Sequence, residues 1–209
     1  MDIFYLGHAS FLIKGKDISF VIDPYRDNSV PNLRFPRVSA NYVFKSHDHF
    51  DHNAIELVNI IKSAISINYR TITVPHDHHN GEHRGLNLIH VFNIDGYKIV
   101  HLGDLGCIPS LKVLEELKNT DVLLAPINGH FTISSLELLE ILKEIKPRLV
   151  IPMHYYMDAY HSGYPDGGEI NEFKRLVGNY KEVNDYRLKI DESVFDNNVV
   201  IFNKYMLEE

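Results

Sequence analysis

His47-Asp48-His49-Phe50-Asp51-His52 is the stretch on which the reading of this chain turns. It follows Tyr42 to Ser46, a β-rich run that predicts a strand. Just past a strand end, residues two apart can point the same way. His47 and His49 can therefore present imidazoles to one metal ion, while Asp51 and His52 on the following turn face a second position. Three imidazoles crowded into six residues would repel one another when protonated and gain nothing in packing. Metal ligation gives them a reason to be there.

Working outward, nine of the 13 histidines lie between His47 and His101, and histidine and acid recur together beyond the first string. His76-Asp77 follows a run ending at Val74, Asp104 closes His101-Leu102-Gly103-Asp104, and His154 closes Ile151-Pro152-Met153-His154. Each sits just past a predicted strand, so the set can converge on one sheet edge, where α/β architectures build their sites.

The rest of the chain changes period along its length. Ile3 to Leu6, Ser10 to Ile13 and Ile18 to Ile22 predict a β-meander, and Pro24 to Ala40, with three prolines and no periodicity, predicts a long loop. Asn53 predicts the cap of a helix through about Ile61, with Ile55, Val58 and Ile61 spaced by three. Ala64 to Asn68, Thr71 to Val74, Leu88 to Ile94 and Tyr97 to Leu102 predict strands, the last two joined by the hairpin turn Asp95-Gly96. Further on, a helix at Ser110 to Leu117 and another opened by the capping box Ser134-Ser135-Leu136-Glu137 alternate with strands at Val122 to Ala125 and Leu149 to Ile151. A tyrosine- and glycine-rich loop from Tyr155 to Gly168, a helix at Ile170 to Val177 and a strand at Asn198 to Asn203 follow. Strand runs first and β-α units later predict an α/β fold: a four-layer αββα sandwich, two sheets face to face with helices outside, in one domain spanning 1–209.

Composition narrows the partners. Lys plus Arg number 21 against 28 Asp plus Glu, a formal net charge of −7, which repels a phosphate backbone and argues against nucleic acid as partner. The single cysteine, Cys107, excludes an intrachain disulfide and reads as a small buried residue. There is no basic leader and no apolar run near the roughly 20 residues of a membrane span, so a cytoplasmic protein without a membrane partner is expected.

The order of these motifs resembles the metallo-β-lactamase fold superfamily over nearly the whole chain: His47-x-His49-x-Asp51-His52, a later His, a Gly-Asp and a final His, with Asp23 in Val21-Ile22-Asp23-Pro24 matching the Asp after an early strand. It looks more closely like a branch of small bacterial metal-dependent hydrolases similar to the ascorbate-phosphate lactonase group. That likeness rests on Leu6-Gly7-His8-Ala9-Ser10-Phe11, Leu102-Gly103-Asp104-Leu105-Gly106, Pro126-Ile127-Asn128-Gly129-His130-Phe131-Thr132 and Pro152-Met153-His154-Tyr155. The resemblance implies one ion held by His47, His49 and His76, a second by Asp51, His52 and His154, and Asp104 between them. Asp23 would orient the ligand loop. For the third place His76, His78, His79 and His83 compete. His76 fits the branch pattern best, while Gly81 and Gly85 argue against a helical pair of His79 and His83. His8 and His130 are candidates for the edge of the site or the substrate cavity, His90 and His101 read as structural, and His161 is left open.

Two divalent ions, the carboxylates of Asp51 and Asp104 and a bridging hydroxide would leave a centre of about one positive charge, suited to stabilising an oxyanion. The expected chemistry is hydrolysis of a small lactone, ester, amide or phosphoester, the hydroxide attacking a carbonyl or phosphoryl centre and Asp51 orienting it. Imidazoles favour zinc, and the carboxylates tolerate manganese. Arg26, Arg34 and Arg37 in the long loop hint at phosphate. A nucleic-acid-processing enzyme would want a basic substrate track that the charge does not supply. The alternative from another class is a non-catalytic metal-binding or ligand-sensing protein that keeps the fold.

Overall fold

The structure is a computed structural model that describes residues 1–157 and 168–207. β1 (Asp2–Gly7), β2 (Ser10–Lys14) and β3 (Ser19–Ile22) form an antiparallel meander. After the two-residue β4 (Ser39–Ala40), β5 (Tyr42–Phe44) joins β3 in parallel, and the short β6 (Asn59–Ile60) pairs with β4. β7 (Asn68–Pro75), β8 (Leu86–Ile94) and β9 (Tyr97–His101) are antiparallel. The crossover helices α1 (Leu111–Leu117) and α2 (Ser135–Ile145) then add β10 (Val122–Pro126) and β11 (Leu149–Met153) in parallel. After α3 (Gly168–Val177) come β12 (Lys181–Val183), β13 (Arg187–Lys189) and β14 (Val200–Phe202). β13 returns to the edge of the first sheet, giving the orders β13-β1-β2-β3-β5 and β11-β10-β9-β8-β7, and β12 pairs with β14.

Alternation along each strand decides which layer a side chain joins. Ile3 and Tyr5, Phe11 and Ile13, Phe20 and Ile22 point into one core with Phe92 and Ile94, Ile99, Leu124, Ile151 and Met153 of the opposite sheet. Phe20 and Phe92 meet ring to ring across that interface, with centroids 4.2 Å apart. The intervening residues of the second sheet, Val91, Val100, Leu123 and Val150, pack on Leu114, Leu117, Leu138, Ile141 and Phe173 of the helices. This is the α/β sandwich, two sheets face to face with the helices over the second. The outer face of the first sheet, Leu6, Leu12 and Val21, is covered differently: Tyr25, Val30, Leu33, Phe35 and Val38 of the long loop and Val58 lie on it. Among the described residues, irregular chain makes that layer.

The expected helix from Asn53 to Ile61 is therefore corrected. Only Ile55–Leu57 forms a 3₁₀ turn, with no side-chain cap. Asn59 and Ile60 extend to pair with Ser39 and Ala40, and the Asn53 side chain donates to the Asp48 carbonyl instead of capping. Val58 is buried while Ile55 and Ile61 are exposed, so the spacing of three did not mark a buried face. The runs at Ala64 to Asn68 and Thr71 to Val74 are not two strands either: one strand runs through Asn68–Pro75. The capping box of α2 forms as read, with Ser134 and Glu137 each bonding the other's backbone. No helix among the described residues is long and apolar enough to cross a membrane. His161 and most of the Tyr155 to Gly168 loop lie outside the described residues.

Candidate metal centre

The candidate ligands come from the ends of strands in both sheets. His8 follows β1, Asp23 follows β3, and the His47-to-His52 string follows β5; from the opposite sheet, His76 follows β7, Asp104 follows β9 and His154 follows β11. Three of these residues, His8, Asp23 and His154, leave their strands with positive φ of 56°, 51° and 56°. Non-glycine residues rarely adopt that conformation, and it turns each side chain back over the sheet edge. The surrounding hydrogen bonds hold the turns: the His154 N–H donates to the His8 carbonyl at 2.9 Å, and the Tyr5 hydroxyl donates to the same oxygen at 3.0 Å.

Three groups of ligand atoms result, each within 4.8 Å: His47, His49 and His76; His8, Asp51, His52 and His154; and His47, His52 and Asp104. Asp104 Oδ2 lies among the others, 3.2 Å from His52 Nε2, 3.3 Å from His154 Nε2, 3.5 Å from His76 Nε2 and 3.9 Å from His47 Nε2. His8 Nε2 stands 3.3 Å from Asp51 Oδ2 and 3.2 Å from His52 Nε2. His8, left between structure and site edge by its sequence, thus lies inside the cluster. His130 is exposed on the turn after β10 and enters none of the three groups.

The four competing histidines of the next segment lie differently. His76 is buried and faces Asp104. His78 reaches Glu137 at 2.6 Å, and the exposed rings of His79 and His83 lie against each other, tilted by 36°, with centroids 4.3 Å apart. Asp77 shapes the turn: its carboxylate accepts the backbone N–H groups of His79, Gly81, His83 and Arg84 at 2.7 to 3.0 Å. Burial would push that carboxyl up, yet the N–H groups, Arg84's foremost, hold it well below the usual carboxylate range.

Residues behind the ligands set their tautomers. The Asp23 carboxylate accepts from the Ser46 N–H at 2.5 Å, the Ser46 hydroxyl at 2.6 Å and His52 Nδ1 at 2.9 Å. With its proton committed to Asp23, the Ser46 oxygen accepts from His47 Nδ1 at 2.9 Å. Both imidazoles therefore keep a hydrogen on Nδ1 and turn Nε2 to the centre, where a metal ion would take the place of the proton that His52 otherwise carries. His101 donates from Nε2 to the Ala9 carbonyl and accepts the Gly103 N–H on Nδ1, a structural place. Asn87 holds the Asp104 loop, accepting the Asp104 N–H at 2.9 Å and donating to the Leu102 carbonyl at 2.8 Å. Ser46 and Asn87 were missed as contributors to the site. Gly103 combines a positive φ with an Asn87 Oδ1 that a Cβ would meet at 2.2 Å, so no larger residue fits there. Cys107, expected to be buried, is half-exposed and joins no ligand group.

The electrostatics ask for a cation. Burial, then His52, lowers His47 to about 3; burial, then His154, lowers His8 to about 4; and burial lowers His76. All three are neutral at pH 7. Burial opposes ionisation of Asp23, Asp51 and Asp104, but the neighbouring histidines outweigh it and hold all three carboxyls far down. Burial also opposes charge on His52, yet Asp104, Asp51 and Asp23 raise it well above its ordinary value. Three buried or half-buried carboxylates around one imidazolium leave an excess of negative charge. Asp104 Oδ1 and His47 Nε2 are buried with no hydrogen-bond partner among the described residues, a costly state that a metal ion would relieve. The residues present fit divalent cations.

Two five-stranded sheets face to face, with a histidine–aspartate centre on their shared rim, define a protein of the metallo-β-lactamase type. A family model described as a beta-lactamase superfamily domain matches residues 2–154. A UPF0173 metal-dependent hydrolase of Thermococcus kodakarensis is 31% identical over 214 residues, covering 86% of this chain and 93% of that protein. A crystal structure from Thermotoga maritima, assigned to the metallo-β-lactamase superfamily as a zinc-dependent hydrolase, superposes with a TM-score of 0.75 at 27% identity, covering 96% of this chain and 97% of that one. Igni18, a metallo hydrolase of Ignicoccus hospitalis, shares the fold with a TM-score of 0.60 at 21% identity, covering 98% and 94% of the two chains. The chain belongs to the metallo-β-lactamase superfamily and, within it, to the UPF0173 group of metal-dependent hydrolases.

Proposed function

We infer that this chain is a hydrolase working with two divalent ions, zinc foremost and manganese tolerated, on a small molecule with a carbonyl or phosphoryl centre: a lactone, ester, amide or phosphoester. The observation that carries the reading is Asp104, whose Oδ2 has imidazoles of both ligand groups within 4 Å while Oδ1 has no partner among the described residues. A carboxylate has two oxygens and can serve two ions, which one imidazole nitrogen cannot. His47, His49 and His76 would hold one ion, and Asp51, His52 and His154 the other, with His8 beside the second group. Ions bound there would act as Lewis acids and make water acidic enough to supply a nucleophile near neutral pH.

The protein's own part is orientation and access. Asp23 and Ser46 fix the imidazoles of His52 and His47. Asp51 is 31% exposed at its side chain and His49 is exposed, so the centre opens to solvent on that side. Structural metal sites are closed, whereas catalytic ones keep an open face, and this favours an enzyme over a sensor. Asp51, half-exposed beside His8, would orient a water or help to move its proton. The net charge of −7 supports a small-molecule substrate over nucleic acid.

The test is metal content with activity. Elemental analysis is expected to give two ions per chain, and Asp104→Ala to lose one and to cut hydrolysis at least a hundredfold. An unchanged two ions in Asp104→Ala would overturn the placement of Asp104. Silence of the wild type across ester, lactone and phosphodiester substrates, with either metal, would favour a sensor.

A further inference from the structure

A cleft of about 330 Å³ runs from the His47 and His49 side of the centre along the start of β8, lined by Lys45, Asp48, Arg84, Leu86 and Leu88 among others. Its two cations differ. Lys45 is taken by Asp48, three residues on. Arg84 has no carboxylate within salt-bridge distance among the described residues, whereas Arg70 is tied to Glu116, Arg148 to Asp121 and Glu192, and Arg187 to Asp2. The Arg84 guanidinium lies over the Phe131 ring at 4.5 Å. Stacked this way, its face is occupied and its N–H edge remains to donate, the arrangement by which arginine takes a carboxylate or phosphate in two parallel hydrogen bonds. The Arg84 backbone N–H is held by Asp77 at 2.8 Å, next to His76, so the cation has a fixed place relative to the ligand cluster. Leu86, 57% exposed, and Leu88 supply an apolar wall on the same strand.

We propose that this cleft selects a substrate with an apolar body and one oxyanion group: the body lies along Leu86 and Leu88, the oxyanion is held by Arg84, and the scissile bond is thereby presented beside His47 and His49. The proposal rests on the hydrolase reading above and adds the class of substrate to it. It also accounts for how a chain of net charge −7 would take up an anion, through a cation that has no counter-ion among the described residues at the mouth of the centre. Arg26, singled out earlier as a phosphate hint, is instead paired with Glu56 at 3.6 Å, and Arg37 lines a different cleft.

Titration calorimetry of the metal-loaded protein with 4-phenylbutyrate, phenylphosphate and the neutral 4-phenylbutanamide tests binding apart from turnover. At least one anion is expected to bind about tenfold more tightly than the amide, and the stronger of the two identifies carboxylate or phosphate as the source. Arg84→Gln is expected to abolish the preference and Arg84→Lys to restore part of it, at unchanged metal content. In turnover, the ratio of kcat/KM for mono-4-nitrophenyl glutarate over 4-nitrophenyl butyrate should be about ten and fall towards one in Arg84→Gln. An anion affinity unmoved by Arg84→Gln would mean that the metal alone holds it, and would overturn the proposal. Arg84-dependent binding with neither ester hydrolysed, and with the lactone and phosphodiester panel silent as well, would sink the hydrolase reading while leaving the anion site standing. Both esters hydrolysed equally, without dependence on Arg84, would do the reverse.

Discussion

Replacing Gly106 by alanine should empty part of the candidate metal centre without replacing any of the candidate ligands. A Cβ at Gly106 would lie 2.0 Å from the Asp77 nitrogen, 2.1 Å from the His76 carbonyl carbon and 2.5 Å from Asp77 Cα. All three are backbone atoms, so no side chain can rotate out of the way. Restoring an ordinary contact of 3.4 Å requires a shift of about 1.4 Å in the His76–Asp77 backbone or in the Gly106 loop. The Gly106 N–H also donates to the Pro75 carbonyl at 3.1 Å, tying the two segments at the point of the clash. His76 Nε2 sits 3.5 Å from Asp104 Oδ2, and a displacement of more than an ångström takes its lone pair out of reach of a shared ion. Misplacement on that scale costs on the order of 100-fold in rate, and the overpacking itself about 1–3 kcal/mol of stability. The assay is elemental analysis of purified Gly106→Ala, with metal affinity by competition against a chelator and thermal unfolding of the metal-free form. A folded variant with wild-type metal content and affinity would refute the claim that this glycine seats His76.

Other consequences can be checked alongside. Ser46→Ala removes the acceptor that keeps the proton on His47 Nδ1 and a donor to Asp23, and should weaken metal affinity about 10- to 100-fold in a chelator competition while the fold persists. Asp77→Ala should speed hydrogen exchange at the amides of His79, Gly81, His83 and Arg84; unchanged exchange would show that the turn does not depend on its carboxylate. In the metal-free protein, unfolded histidines bind protons below about pH 6.5 while folded His8 and His47 resist until about 4 and 3, so stability falls as pH drops. His52, raised in the fold, works oppositely and loses stability as pH rises above about 6.5, so unfolding temperature should peak near there; a monotonic rise to pH 9 would contradict it.

What the chain reveals locally was legible from residues alone. Strands with clean alternation, the capping box of α2 and the ligand string after β5 needed only their neighbours in sequence. What failed to show was settled at a distance. Asn59 and Ile60 have a helical neighbourhood but pair with Ser39 and Ala40, a contact that propensity does not carry. β13 is three residues long and acquires its meaning by pairing with residues 2–4. Ser46 and Asn87 look like ordinary polar residues until Asp23 and Asp104 arrive beside them from elsewhere in the chain. His8 was ambiguous for the same reason: its neighbours in the cluster, Asp51 and His154, are 43 and 146 residues away. The choice among His76, His78, His79 and His83 turned on Asp77, whose four backbone contacts curl the segment so that one imidazole faces inward.

That the candidate ligands come from both sheets has a mechanical side. Between the sheets lie apolar side chains that resist separation but offer little against sliding, since dispersion has no preferred direction. Ions gripped by His47 and Asp51 from one sheet and by His76, Asp104 and His154 from the other would act as a rivet at one rim. The loaded protein should then be stiff in shear at that end and looser at the other, and pulling the sheets apart from the rim would meet its peak force at the ions.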